Sequence, residues 1–320
     1  MRVLITGGMG VNGAVTARLL LSEGIRPVLL DNRMDLSLIT GIERDVDLVE
    51  DDVLDPYGLE KVVTDYRITH IAHLAALMPE PAESDPRLGV KVGVDGTVNV
   101  LEVARSHRIR RVVYTSSKAV YGEITGRNAH PDYVPVDESH PRNPADLYGV
   151  IKVCCENVGR YYRERYGVEF VTLRFSSIYG PGKQARHGVL SLYGQIIEEV
   201  VSGREVTIPR GGDQINDVLY VGDVARAIFL ALKAENLESW NFNIGTGRGV
   251  TLTDFGRVLG RMFPTARIEI GPGLDFRAGY KSSYCIFDIA KAKEQLGYTP
   301  QFDLEGGIRE YIQTISRLRS

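Results

Sequence analysis

The stretch Arg2-Val3-Leu4-Ile5-Thr6-Gly7-Gly8-Met9-Gly10-Val11-Asn12-Gly13 decides how the rest of this chain is read. Its opening residues are mostly apolar and lead directly into glycines three apart at Gly7, Gly10 and Gly13. Glycines at a strand end permit a tight turn, close approach of backbone to a pyrophosphate, and close packing of the next helix. A helical pattern follows over residues 14–21, so a helix N-terminus with its partial positive charge faces the phosphates. Strand, glycine turn and helix in this order read as a dinucleotide-binding turn, a context that a merely glycine-rich loop lacks. Gly7, Gly10, Val11, Asn12 and Gly13 are its candidate contacts.

Asp31 ends the next apolar run and is placed to accept hydrogen bonds from adenosine ribose hydroxyls. Its charge would repel the 2′-phosphate of NADP, so NAD is the expected cofactor, with Asn32 beside it. Arg33 dissents, because an arginine can accommodate that phosphate, but it would have to overcome the adjacent carboxylate. Further β-rich runs at 46–49, 68–74, 111–116 and 169–175 alternate with amphipathic segments such as 59–66 and 96–107. That rhythm predicts an α/β fold, a doubly wound Rossmann sheet of parallel strands over residues 1–178. A late strand near 240–245 returns to this sheet. Residues 179–320 then form mainly a smaller α+β substrate-binding region, with loops around 180–188, 209–213 and 271–273. There is no internal repeat or flexible linker, so the two regions are expected to pack as one unit.

With 320 residues, 43% hydrophobic and 25% charged, the composition is that of an ordinary globular chain. The 38 basic and 41 acidic residues are dispersed, which leaves no footprint for nucleic acid or anionic lipid and favours a small-molecule partner. No segment reads as a membrane span, and Met1 leads straight into a strand without a signal-peptide n-region. Three cysteines cannot make a disulfide framework, so the expectation is a cytoplasmic protein, with Cys154 and Cys155 as packing residues. The six histidines have no metal-ligand spacing, and no metal is expected.

Tyr148 and Lys152 lie four apart at the start of a predicted helix, on one face. A tyrosine titrates near pH 10, so acting as a base near neutrality requires a nearby positive charge, which Lys152 or an oxidised nicotinamide could supply. Lys152 can also hold the nicotinamide ribose. Ser117, just past the strand 111–115 at the sheet edge where ligands bind, can orient a substrate hydroxyl; Ser116 is its immediate competitor. By itself a Tyr-x-x-x-Lys spacing is common on exposed helices. Downstream of a dinucleotide turn it reads as catalytic.

The chain resembles the extended short-chain dehydrogenases/reductases, the NAD-dependent epimerase/dehydratase group that includes UDP-galactose 4-epimerase. The resemblance runs nearly end to end. Beyond the glycine turn it rests on Asp52-Val53-Leu54-Asp55, His73-Leu74-Ala75-Ala76, Gly96-Thr97-Val98-Asn99, Ser116-Ser117-Lys118-Ala119-Val120-Tyr121-Gly122, Tyr148-Gly149-Val150-Ile151-Lys152 and Tyr179-Gly180-Pro181-Gly182. It implies Ser117 and Tyr148 at the reacting hydroxyl and Lys152 on the nicotinamide ribose. Asp52 and Val53 would lie at the adenine, with Leu74, Ala75 and Ala76 lining the cofactor. Met78, Ser117, Ser177, Asn216 and Arg277 would face substrate. His73 reads instead as a buried strand histidine, and Asn99 as a brace for the sheet. A homodimer is also implied, with a seam on the helices 96–107 or 148–166.

The departures narrow the chemistry. Members that dehydrate sugars carry an Asp-Glu pair where this chain has Lys118 and Ala119, and a methyl group cannot transfer protons, so dehydration is not expected. Sugar-nucleotide epimerases usually carry an asparagine in the segment matching Ser177 and an arginine matching Asn216. Losing that arginine removes a charge-assisted phosphate contact. Arg277 argues the other way, resembling the C-terminal phosphate-contacting arginine. The leading expectation is NAD-dependent epimerisation of a sugar or sugar nucleotide through a keto intermediate. An NAD-dependent dehydrogenase of an unactivated sugar, sugar acid or other small alcohol stands close behind. A non-catalytic NAD-sensing protein is disfavoured by intact Ser117, Tyr148 and Lys152.

Overall fold

The computed structural model describes residues 1–183, 191–276 and 284–319. Six strands of its main sheet come in chain order: β1 (Val3–Thr6), β2 (Val28–Asp31), β3 (Asp47–Glu50), β4 (His70–His73), β5 (Arg111–Ser117) and β6 (Phe170–Phe175). The strand Asn241–Ile244 pairs with β6, and across the sheet the order is 241–244, β6, β5, β4, β1, β2, β3. Every pairing in this sheet is parallel. Strand order reverses direction between β1 and β4, and the crevice at such a switch point is where doubly wound sheets bind ligands.

Successive side chains of a strand point to opposite faces, and here each face meets its own helix layer. Ile5, Leu29, Ala72, Val113 and Val171 join one core, while their neighbours Leu4, Leu30, Ile71, Val112 and Phe170 join another. Burial on both faces explains why these strands read as continuous apolar runs rather than as alternating ones. The strands fall within two residues of their expected bounds.

The helix Leu147–Tyr166 carries Tyr148 and Lys152 and starts at Asp146, whose carboxylate accepts the Gly149 N–H at 2.7 Å. It stops at Gly167 in the left-handed region, φ 71°. Beyond β6 the chain builds a third core from Tyr193, Ile197, Phe255, Leu259 and Tyr311, among others. Three short pairings tie this part together: Ser177–Tyr179 with Val218–Tyr220, Ile215–Asn216 with Val250–Thr251, and Val206–Ile208 with Ile268–Ile270. Among the described residues, no helix is long and apolar enough to cross a membrane.

Candidate active site

The glycine turn leaves no room for side chains. Gly7 has φ +68°, and a Cβ there would sit 2.9 Å from the Ala75 nitrogen. At Gly13 a Cβ would lie 2.6 Å from the carbonyl oxygens of both Gly7 and Gly8. The helix Val11–Ser22 begins at Gly10 with no side-chain cap and no acidic residue in its first turn. An anion can therefore approach its N–H groups unopposed. This cradle, with its uncapped helix end, fits a dinucleotide pyrophosphate.

At the end of β2, Asp31 accepts the Met9 N–H at 3.0 Å and the Arg33 N–H at 3.2 Å, tying its carboxylate to the glycine turn. Asn32 donates to Asp52 at 2.9 Å, and Asp52 accepts the Leu54 N–H at 3.0 Å, so these candidates form one polar edge. Val53 is buried, and its carbonyl, in the turn after β3, accepts from the Asn99 side chain at 3.0 Å. His73 is buried between the hydroxyls of Thr6 at 2.7 Å and Thr97 at 3.1 Å. Burial, aided by the Lys152 charge, pushes its pKa down to about 3.

Ser117, Tyr148 and Lys152 converge on one cavity of about 270 Å³, which Asn12, Leu74, Ala76 and Met78 also line. A hydrogen bond links Ser117 to Tyr148, whose pKa burial nevertheless raises to about 12. The Lys152 ammonium donates to the Thr115 carbonyl at 2.7 Å and lies 5.5 Å from the centre of the Tyr148 ring. Burial pushes its pKa down to about 8. Gly149 lets the helix start this close to the serine: a Cβ there would stand 2.5 Å from the Ala119 carbonyl oxygen.

Ser116 is occupied elsewhere. Its hydroxyl donates to Glu156 at 2.7 Å, and both Glu156 and Arg174 are buried. Arg174 grips that carboxylate through Nε at 2.9 Å and a terminal nitrogen at 2.6 Å, while Arg142 reaches it at 3.0 Å. The bidentate ion pair anchors the helix Leu147–Tyr166 to β5 and β6.

On the substrate side, Ser177 and Asn216 both line the cavity, and Asn216 donates to the Ser177 hydroxyl at 2.7 Å. Arg277 lies outside the described residues. Sequence reasoning passed over Lys118, Lys183, Asp146, Tyr193, Phe276 and Tyr284, which line the same cavity. Its place directly after Ser117 was a usable signal for Lys118. Nothing in the sequence marked the aromatic residues, which arrive from distant parts of the chain. Among the described residues no cluster of His, Cys, Asp or Glu is suited to a metal.

Fold and glycine turn together define an NAD-dependent enzyme class, with a serine, a tyrosine and a lysine gathered beside that turn. Residues 3–245 match the family described as "NAD dependent epimerase/dehydratase family", and the chain belongs to that family. A UDP-glucose 4-epimerase of Lacticaseibacillus casei is 30% identical, covering 95% of this chain and 93% of its own. The mitochondrial L-threonine 3-dehydrogenase of Bos taurus is 29% identical over 95% of this chain and 79% of its own. Among solved structures, the Thermotoga maritima UDP-glucose 4-epimerase with UDP-glucose superposes with a TM-score of 0.86 at 26% identity, covering 100% of each chain.

Proposed function

We propose that this enzyme epimerises a secondary alcohol of a sugar or sugar nucleotide by oxidation to a ketone and reduction on the opposite face. The observation that carries this reading is the convergence of Ser117, Tyr148 and Lys152 on a single cavity beside the glycine turn. When bound, NAD supplies the hydride acceptor and, while oxidised, a positive charge near the tyrosine. Ser117 hydrogen-bonds the reacting hydroxyl, and Tyr148 removes its proton and later returns it. Lys152 holds the nicotinamide ribose, and Thr115 fixes the direction of its ammonium group. Asp31 accepts from the adenosine ribose, Asn32, Asp52 and Val53 bound the adenine end, and Leu74, Ala75 and Ala76 flank the dinucleotide. Met78, Ser177, Asn216 and Arg277 are assigned to substrate.

A dehydrogenase of an unactivated sugar, sugar acid or small alcohol is the second reading, favoured by the neutral Asn216 where a diphosphate-binding arginine is expected. We assign residues 1–178 with the strand 241–244 to NAD binding and 179–320 mainly to substrate. Val150 and Tyr161 are exposed on one stripe of the catalytic helix, and Leu88 and Val90 are exposed on the short helix Pro86–Val90; these apolar residues support a homodimer seam. Three unpaired cysteines support a cytoplasmic location. The test incubates purified protein with sugar nucleotides, free sugars and sugar acids while recording NADH and product stereochemistry. Epimer formation without net NADH is expected. Net NADH accumulation would overturn epimerisation in favour of the dehydrogenase.

A further inference from the structure

Two departures from the family pattern meet in one hydrogen bond. Lys118 stands where dehydrating relatives carry a carboxylate, and Asn216 where an arginine is usual. The Lys118 ammonium lies 5.2 Å from the centre of the Tyr284 ring and donates to the Asn216 side-chain oxygen at 3.2 Å. An arginine has no acceptor and could not take that bond. An ammonium has donors only, so the contact fixes which end of the Asn216 amide is oxygen. The amide nitrogen then faces the hydroxyls of Ser177 at 2.7 Å and Tyr193 at 3.2 Å, and both hydroxyl oxygens accept. Asn216 is 1% exposed, and with both amide hydrogens engaged it has no N–H left to offer a substrate. Its neighbour Asp217 is fully buried and accepts the Thr246 N–H and hydroxyl, both at 2.8 Å, and the Gly247 N–H at 3.1 Å, which clamps this strand in place. Ser177 is only half-buried and lines the cavity. With its oxygen accepting from Asn216, its own hydrogen points away from that residue.

We propose that Asn216 is a positioning residue rather than a substrate contact: it sets the Ser177 hydroxyl as a fixed hydrogen-bond donor toward the cavity, where Ser177 selects a substrate with an acceptor oxygen at that place. This rests on the reading of the cavity as the substrate site. A carbonyl, carboxylate or hydroxyl oxygen can take the Ser177 hydrogen, whereas an ammonium group in the same place would meet a hydroxyl already wired to donate. Lys118 acts at one further remove, since it orients the amide that orients Ser177. The residue directly after Ser117 thus controls a hydroxyl carried by a different strand, and Asn216 serves the substrate without touching it.

The experiment has two parts. Neutron diffraction from deuterated, NAD-loaded protein locates the hydrogens directly. The two Asn216 amide deuterons are expected to point at Ser177 and Tyr193, with the Ser177 deuteron turned away from Asn216. A Ser177 deuteron directed at Asn216 overturns the proposal, whatever the variants do. The second part measures turnover of UDP-glucose and glucuronate by the wild type, Ser177→Ala, Asn216→Leu and the double variant, with calorimetric dissociation constants for a probe that binds without turnover. Each single change is expected to raise KM about tenfold while kcat and NAD affinity stay near the wild type. The double variant is expected to raise KM no further, because both changes remove the same O–H contact. Losses that multiply in the double variant, or a wild-type KM in Asn216→Leu beside a raised one in Ser177→Ala, overturn the positioning role. The expected deuteron positions and coupling in an enzyme indifferent to Tyr148→Phe support that role while overturning the catalytic reading.

Discussion

The hydroxyl of Ser116 donates to the buried carboxylate of Glu156 at 2.7 Å, which leaves Ser117 as the serine that faces Tyr148. Adjacent residues at the end of β5 point to opposite sides, and the Glu156 carboxylate engages the hydroxyl of Ser116.

Replacing Glu156 by Ala would leave Arg174 buried without its countercharge. A loss of roughly 3–5 kcal/mol of stability is expected, read as a lower urea midpoint. A stability within about 1 kcal/mol of the wild type would show that the pair contributes little to holding helix and strand together.

Tyr148→Phe removes one hydroxyl and keeps the ring. Turnover is expected to fall roughly 10²–10⁴-fold, with NAD affinity in a fluorescence titration unchanged. Retained turnover would refute the role assigned to this tyrosine.

Asp31→Asn keeps an acceptor for the Met9 N–H while deleting the charge. NAD binding is expected to weaken by roughly three- to tenfold and NADP binding to improve, because the repulsion of the 2′-phosphate goes with the charge. Unchanged selectivity in paired titrations would transfer the choice of cofactor to another residue.

Lys152 titrates at about 8 in the folded chain against 10.5 for an ordinary lysine. Between those values the unfolded chain binds more protons than the folded one, so this group makes stability rise with pH across the window and depresses it below. Tyr148, raised to about 12, works in the opposite direction above pH 10. Lys152→Met should therefore stabilise the cofactor-free protein at pH 7 by roughly 1–3 kcal/mol and abolish its share of the rise between about pH 8 and 10. Parallel stability curves for the two proteins, measured by urea denaturation, would contradict this. Activity is expected to be lost in the variant even as stability increases, a trade common at functional sites.

Much of the site is legible because local rules constrain it. Gly7, Gly10 and Gly13 announce a turn that only small residues can make, and the four-residue spacing of Tyr148 and Lys152 places both on one face of a helix. The burial of the central parallel strands β1, β4, β5 and β6 on both faces likewise leaves a strong apolar signal. The choice between Ser116 and Ser117 was not legible, because it depends on Glu156, forty residues away, and on Arg174 in the next strand.

The sequence alone determined the doubly wound sheet and the dinucleotide turn and brought out Tyr148 and Lys152 as a candidate pair, since propensity, periodicity and short spacings encode them. Tertiary structure decided what surrounds them. Lys118, Lys183, Tyr193 and Asn216 come from four separate segments, and only chain folding brings their side chains to one cavity. Charge interactions act through space and are steeply dependent on distance and burial, so the electrostatic character of this cavity had no counterpart in any single stretch of sequence.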